Sequence, residues 1–280
     1  AARSAANTRA ACAVSSAVSV SSVRMSPAEP ETRAPLAGRT VLVTGAARRV
    51  GAEIARTLHA AGANLAVHYR SSAPDALALV DALNAQRTGS AIALEADLLA
   101  FAQLPRLVDA ALGAFGRLDV LVNNASTFYP TPVGTITEAQ WQDLTGTNLA
   151  APLFLSQAAA PALRAAQGLI LNLVDIHGQR PLRRHTAYSV AKAGLAMLTR
   201  SLARELAPEV RVNGIAPGPV MWPVGGVDDA LKAEIVARTQ LKRLGSPRDV
   251  ALAARYFAVD APFVTGQILA VDGGRSLGGD

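Results

Sequence analysis

The chain has 280 residues, half of them hydrophobic and 17% charged, enough to bury a full core. Its single cysteine, Cys12, rules out an intramolecular disulfide, a cysteine zinc cluster and a paired-thiol redox site. The formal charge of +6 comes from Lys and Arg that are scattered rather than gathered into a basic run with interleaved aromatics, which argues against nucleic acid and suits a multiply charged phosphate ligand.

Residues 1–24 are rich in Ala, Ser and Val, with three arginines and no acid, a composition like that of an organelle transit peptide. Met25, followed by Ser26-Pro27-Ala28-Glu29-Pro30, offers an alternative start. Either way residues 1–35 are expected to be an unstructured tail, and 36–280 a single domain. No apolar run reaches the roughly 20 residues that would span a bilayer. A cytoplasmic protein without membrane or metal partners is expected, with organelle targeting as the alternative.

From Arg39 onward short β-branched runs alternate with longer helical patterns, which predicts strands at 40–44, 64–69, 91–95, 118–122, 169–174, 211–215 and 268–271. Helices are predicted at 49–61, 74–86, 101–115, 137–165, 187–206 and 247–258. This order specifies an α/β fold, a Rossmann-type doubly wound parallel sheet of seven strands with helices on both faces. The pattern breaks between Gly218 and Leu244, where Pro219, Pro223, Gly225 and Gly226 precede a short helical stretch, 228–238. Lying at the carboxyl end of strand six, this segment is a candidate lid over a substrate site; an ordinary surface connection is the alternative.

After the first strand, Thr44-Gly45-Ala46-Ala47-Arg48-Arg49-Val50-Gly51 opens the first helix, where backbone amides and the helix dipole can receive a pyrophosphate. Glycine stands only at 45 and 51, so the run is not a full G-x-G-x-x-G. After the second strand, where an acid would read the ribose of NAD, the chain has His68-Tyr69-Arg70-Ser71-Ser72. A guanidinium makes charge-assisted bonds to a 2'-phosphate that a carboxylate would repel, so NADPH is the expected cofactor. Asp97 and Leu98 after strand three, with Asn123, Ala125 and Ser126 after strand four, should line the same cleft. Asn124 is as readily a structural lock on the strand end.

Tyr188-Ser189-Val190-Ala191-Lys192 puts a phenol and an ammonium on one helix face. The ammonium should lower the tyrosine pKa toward neutrality and make it a usable proton donor. A Tyr-x-x-x-Lys is frequent by chance, but here it accompanies the loop at 45, Asn123-Asn124-Ala125 and Pro217-Gly218 after strand six.

In that order and spacing, with Thr265-Gly266-Gln267 and Val271-Asp272-Gly273-Gly274 closing the chain, residues 38–276 resemble the short-chain dehydrogenases/reductases. The resemblance implies NAD(P) chemistry, a proton relay of Asn148, Tyr188 and Lys192, Pro217 and Gly218 at the cofactor, and a homotetramer built through helices 137–165 and 187–206. Two departures narrow it. Asp175 stands where the family pattern has serine, and Arg49 where it has the second loop glycine. Both resemble pteridine reductases, as do His68-Tyr69-Arg70-Ser71, the run Asn123 to Pro132 and Arg180-Pro181-Leu182.

That likeness implies reduction of pterins, dihydropterins or dihydrofolate, with Asp175 supplying a proton to a ring nitrogen. Phe128 would stack on the flat ring, Arg49 would touch both phosphate and pterin, and Ser126 and Trp222 would contact substrate. Asp175 could instead simply end its strand and cap a turn, and Phe128 could be ordinary packing. A ketone or 3-oxoacyl thioester reductase and a non-catalytic NADPH-binding protein are the rival functions.

Overall fold

The computed structural model describes Ala1, residues 34–222 and residues 225–278. The expected tail therefore lies, apart from Ala1 and residues 34 and 35, outside the described residues. The domain opens with a turn at residues 35–38, where the Leu36 amide donates to the Ala61 carbonyl and the Leu36 side chain is buried.

Seven parallel strands form one sheet in the order β3-β2-β1-β4-β5-β6-β7. They are β1 (Thr40–Val43), β2 (Asn64–Tyr69), β3 (Ala91–Glu95), β4 (Val120–Asn123), β5 (Leu169–Leu173), β6 (Arg211–Pro217) and β7 (Ile268–Val271). The central strands are buried on both faces, as parallel strands covered by helices must be. Alternate residues serve opposite layers. Val41, Val43, Val120, Val122, Leu171 and Ile215 pack under α1 (Arg49–Ala60), α2 (Ala73–Gln86) and α8 (Pro247–Val259). Leu42, Leu121, Ile170 and Val212 pack under α3 (Leu104–Phe115), α5 (Ala151–Ala166) and α6 (Thr186–Glu205). The order reverses between β1 and β4, and the crevice beyond the carboxyl ends of those strands is where this architecture binds ligands.

One predicted element is corrected. The expected helix 137–165 is two, α4 (Glu138–Thr145) and α5, separated by a π-helical turn, Gly146–Ala150. The cause is local. Asn148 at its centre is buried, and its amide donates to the Leu144 carbonyl and across to the Thr127 carbonyl, so the turn widens around a side chain with long-range commitments. The stretch after β6 contains α7 (Asp229–Ala237), capped by Asp228. No helix among the described residues is long and apolar enough to cross a membrane.

Candidate active site

A cavity of about 710 Å³ runs along the carboxyl ends of the strands. Its wall collects residues from the loop after β1 (Gly45, Arg49, Val50), after β2 (His68, Tyr69, Arg70, Ser71), after β3 (Asp97, Leu98) and after β4 (Ala125, Ser126, Phe128). Asp175, Tyr188 and Lys192 follow, then Pro217, Gly218 and Trp222. Two sequence-predicted residues are not in the wall, Asn123 and Asn148.

Asn123 is a correction. It shares the sheet face of Leu121, so its side chain turns into the core, donating to Asn172 Oδ1 at 2.8 Å and Ser156 Oγ at 3.3 Å. The cavity side belongs to Asn124, whose amide donates to the carbonyls of Thr44 and Gly45 at 2.8 and 3.0 Å. Asn148 lies behind the wall and acts on it through Ser126, whose hydroxyl donates to Asn148 Oδ1 at 2.6 Å.

The loop after β1 is held from beneath. Thr44 Oγ1 accepts from the amides of Asn124 and Ala125 at 2.9 and 3.0 Å. The Gly45 amide donates to His68 Nδ1 at 3.0 Å, so Nε2 carries the ring proton and donates to the Ala96 carbonyl at 3.1 Å. With both nitrogens taken and burial holding its pKa below the ordinary 6.5, His68 is a neutral brace of the loop within the cavity wall. Gly51 is glycine because a Cβ there would meet the Gly45 carbonyl at 2.4 Å. Arg48 at the N-cap of α1 makes no side-chain cap, leaving the first-turn amides to the cavity. Arg49 adopts φ +56°, a left-handed conformation that costs a non-glycine residue about 1 kcal/mol, and its guanidinium donates to the Trp222 carbonyl at 3.0 Å.

At the centre, the Tyr188 hydroxyl donates to Asp175 Oδ2 at 2.7 Å. Asp175 Oδ1 accepts from the His177 amide at 2.8 Å, so this carboxylate both caps the turn Ile176–Gly178 and faces the phenol. The two sequence readings of Asp175 are thus compatible. Lys192 is buried, donates to the Leu173 carbonyl at 2.7 Å, and sits 5.6 Å from the Tyr188 ring centre. The expected lowering of the tyrosine pKa is corrected. Burial, and then the Asp175 carboxylate, raise Tyr188 well above its ordinary value, against a smaller opposing pull from the Ser126 hydroxyl. Burial brings Lys192 down to about 8, against the Asp175 carboxylate. The phenol is therefore held protonated.

A family model described as enoyl-(acyl carrier protein) reductase matches residues 45–276. The chain belongs to the short-chain dehydrogenase/reductase family. Among its relatives is pteridine reductase 1 of Leishmania tarentolae, 38% identical over 280 residues covering 84% of this chain and 96% of that one. Others are 3beta-hydroxysteroid dehydrogenase 1 of Eggerthella lenta, 36% identical over 249 residues (86% and 95% covered), and a 3-oxoacyl-[acyl-carrier-protein] reductase of Staphylococcus aureus, 35% identical over 243 residues (85% and 98% covered). This short-chain dehydrogenase/reductase is an oxidoreductase of a family that uses NAD(P)H. Its residues fit such a nucleotide. The crevice has room for it, and the α1 amides are uncapped.

Several wall residues escaped the sequence. His177, Leu182, Ile235 and Arg275 all reach the cavity, from loops and helices distant in the chain. Phe128, 48% exposed, packs edge-on to Tyr188 at 4.8 Å and lies flat against His185 at 4.7 Å. His185 is not in the wall, so it backs the phenyl ring from outside. Tertiary links bring these loops together, the Thr131 amide donating to the Arg184 carbonyl at 2.6 Å and the Ala187 amide to Thr131 Oγ1 at 3.4 Å, and no local pattern announces them.

Proposed function

We propose that this chain is an NADPH-dependent pteridine reductase that takes pterins and dihydropterins, and dihydrofolate, to their tetrahydro forms. The observation that carries the reading is the 2.7 Å contact between Tyr188 and Asp175. A serine at this place polarises a ketone oxygen; a carboxyl against a protonated phenol instead holds an exchangeable proton beside a ring nitrogen. NADPH, when bound, supplies the hydride for the ring carbon of the C=N bond. Tyr188 gives its proton to the adjacent nitrogen, Asp175 shares and replenishes it, and Lys192 keeps a positive charge close to the phenolate that forms. Ser126, held in turn by Asn148, stands beside the phenol oxygen. Phe128, backed by His185, offers a face to the heterocycle, with Arg49 and Trp222 closing the other side.

Arg70 and Ser71, with Tyr69, Asp97 and Leu98, supply the adenosine end and support NADPH over NADH, since a guanidinium follows β2 where an acid would exclude a 2'-phosphate. Residues 218–244 act as the lid. We place the protein in the cytoplasm as a homotetramer. Phe154 on α5 and Val190 and Met197 on α6 are exposed apolar side chains suited to helix pairing, and the folded domain spans residues 36–280.

Comparable identity to the 3-oxoacyl reductase of Staphylococcus aureus supports a second reading, reduction of a ketone. The test is NADPH oxidation by the purified chain with dihydrobiopterin, dihydrofolate and acetoacetyl-CoA. Saturable turnover of the dihydropterins is expected; turnover of acetoacetyl-CoA alone would establish the second reading.

A further inference from the structure

The cavity is positive at both ends, and only one end is accounted for by the cofactor. Arg70 follows β2, next to the sheet edge at β3. Arg275 follows β7, at the opposite edge, with β1, β4, β5 and β6 lying between β2 and β7. A dinucleotide laid across the β1–β4 crevice would have its phosphates held by Arg70 and the α1 amides, with Arg275 at the opposite end of the sheet. Yet Arg275 lines the same cavity, is partly buried, and makes no ion pair or side-chain hydrogen bond among the described residues. A guanidinium so placed has its donors open to an anionic ligand in the cavity.

Its surroundings favour an anion. Of the two carboxylates in the wall, Asp97 is at the β3 end and Asp175 is committed to Tyr188 and the His177 amide. The loop after β5 adds Arg180, Arg183 and Arg184, all exposed. Arg180 donates to the Gly278 carbonyl, which seats that basic loop against the turn carrying Arg275. Between the basic groups the wall is apolar, with Leu182 from the β5 loop and Ile235 from α7.

Resting on the pterin reading above, we infer that the β7 end of this cavity recognises the carboxylates of a substrate tail, so that the preferred substrate is a dihydrofolate, with an aromatic amide ending in glutamate, rather than a dihydropterin with a neutral side chain. Leu182 and Ile235 pack on the benzoyl ring and Arg275 pairs with a glutamate carboxylate. Arg180, Arg183 and Arg184 extend the positive field outward, toward further glutamates.

The test compares kcat and KM for dihydrofolate and dihydrobiopterin, at saturating NADPH, in the natural chain, Arg275→Leu and Arg275→Lys. Dihydrofolate is expected to have the higher kcat/KM, and Arg275→Leu to lower the dihydrofolate-to-dihydrobiopterin ratio about tenfold, through KM, with Arg275→Lys restoring most of it. Added salt should lower the same ratio in the natural chain, a readout that stands if Arg275→Leu fails to fold. A ratio indifferent to Arg275 and to salt overturns the inference while leaving the pterin reading intact. NADPH binding without turnover of either compound overturns both. Turnover of acetoacetyl-CoA that depends on Arg275, with pterins inert, assigns the arginine to a phosphate-bearing tail and also overturns it.

Discussion

The two ends of the cavity are built differently. At the β1–β3 end the loop after β1 is pinned from beneath. Thr44 ties the strand-four loop, Asn124 ties Gly45, and His68 is bonded through both nitrogens. At the β5–β7 end the wall is joined through side chains, Arg49 to the Trp222 carbonyl and Arg180 to the Gly278 carbonyl, and its Arg275 guanidinium, like that of Arg70 at the other end, has no partner among the described residues. A common ligand can be met by one pre-organised frame, whereas substrate choice is set by a few side chains on adjustable segments. Tyr188, Lys192 and Asp175 stand at the junction, and burial together with the Asp175 carboxylate sets the protonation of the buried Tyr188 and Lys192.

Three changes break or sharpen that comparison. The largest effect belongs to the junction. Tyr188→Phe should lower kcat by about 100- to 10,000-fold, the usual weight of a lost acid, while NADPH affinity, measured by nucleotide fluorescence, holds within a few-fold. Equal loss of binding would mean that the two ends are not separable there. A smaller effect is expected at the rigid end. Arg70→Leu should raise the KM for NADPH about tenfold or more and leave that for NADH nearly unchanged. An equal rise for both would remove Arg70 from the 2'-phosphate.

The smallest is a pH effect confined to the braced half. Burial lowers the folded-state pKa of both His59 and His68 below 6.5, with the Arg87 charge adding to it at His59. The unfolded chain therefore takes up protons that the folded one refuses, and the stability tied to these two residues is complete above about pH 6.5 and lost as pH falls through that range. The melting temperature should drop between about pH 7 and pH 5, and drop less in His59→Gln. A flat profile would mean that neither histidine is held neutral by the fold.

The same contrast explains what could be read from the chain. Strands rich in Val, Leu and Ile, buried on both faces, announce themselves, and so do the nucleotide loop and the Tyr188–Lys192 spacing, because each is local. Asn123 was legible in principle, since alternation from Leu121 sends it into the core. The π turn at Gly146–Ala150 was not, because the helical pattern runs through it unbroken and the cause is the contact of Asn148 with the Thr127 carbonyl. The direction of the Tyr188 shift was also hidden. Spacing gives the distance to Lys192, but the burial and the Asp175 contact that dominate it are tertiary.

The central claim is that Asp175, paired with Tyr188, makes this a site for protonating a ring nitrogen. The most direct test is kcat/KM for dihydrobiopterin and for acetoacetyl-CoA in the natural chain and in Asp175→Ser, which restores the family's usual hydroxyl. The account predicts that dihydropterin turnover falls by at least about 100-fold while ketone turnover is kept or gained. Dihydropterin turnover that survives the substitution would contradict it.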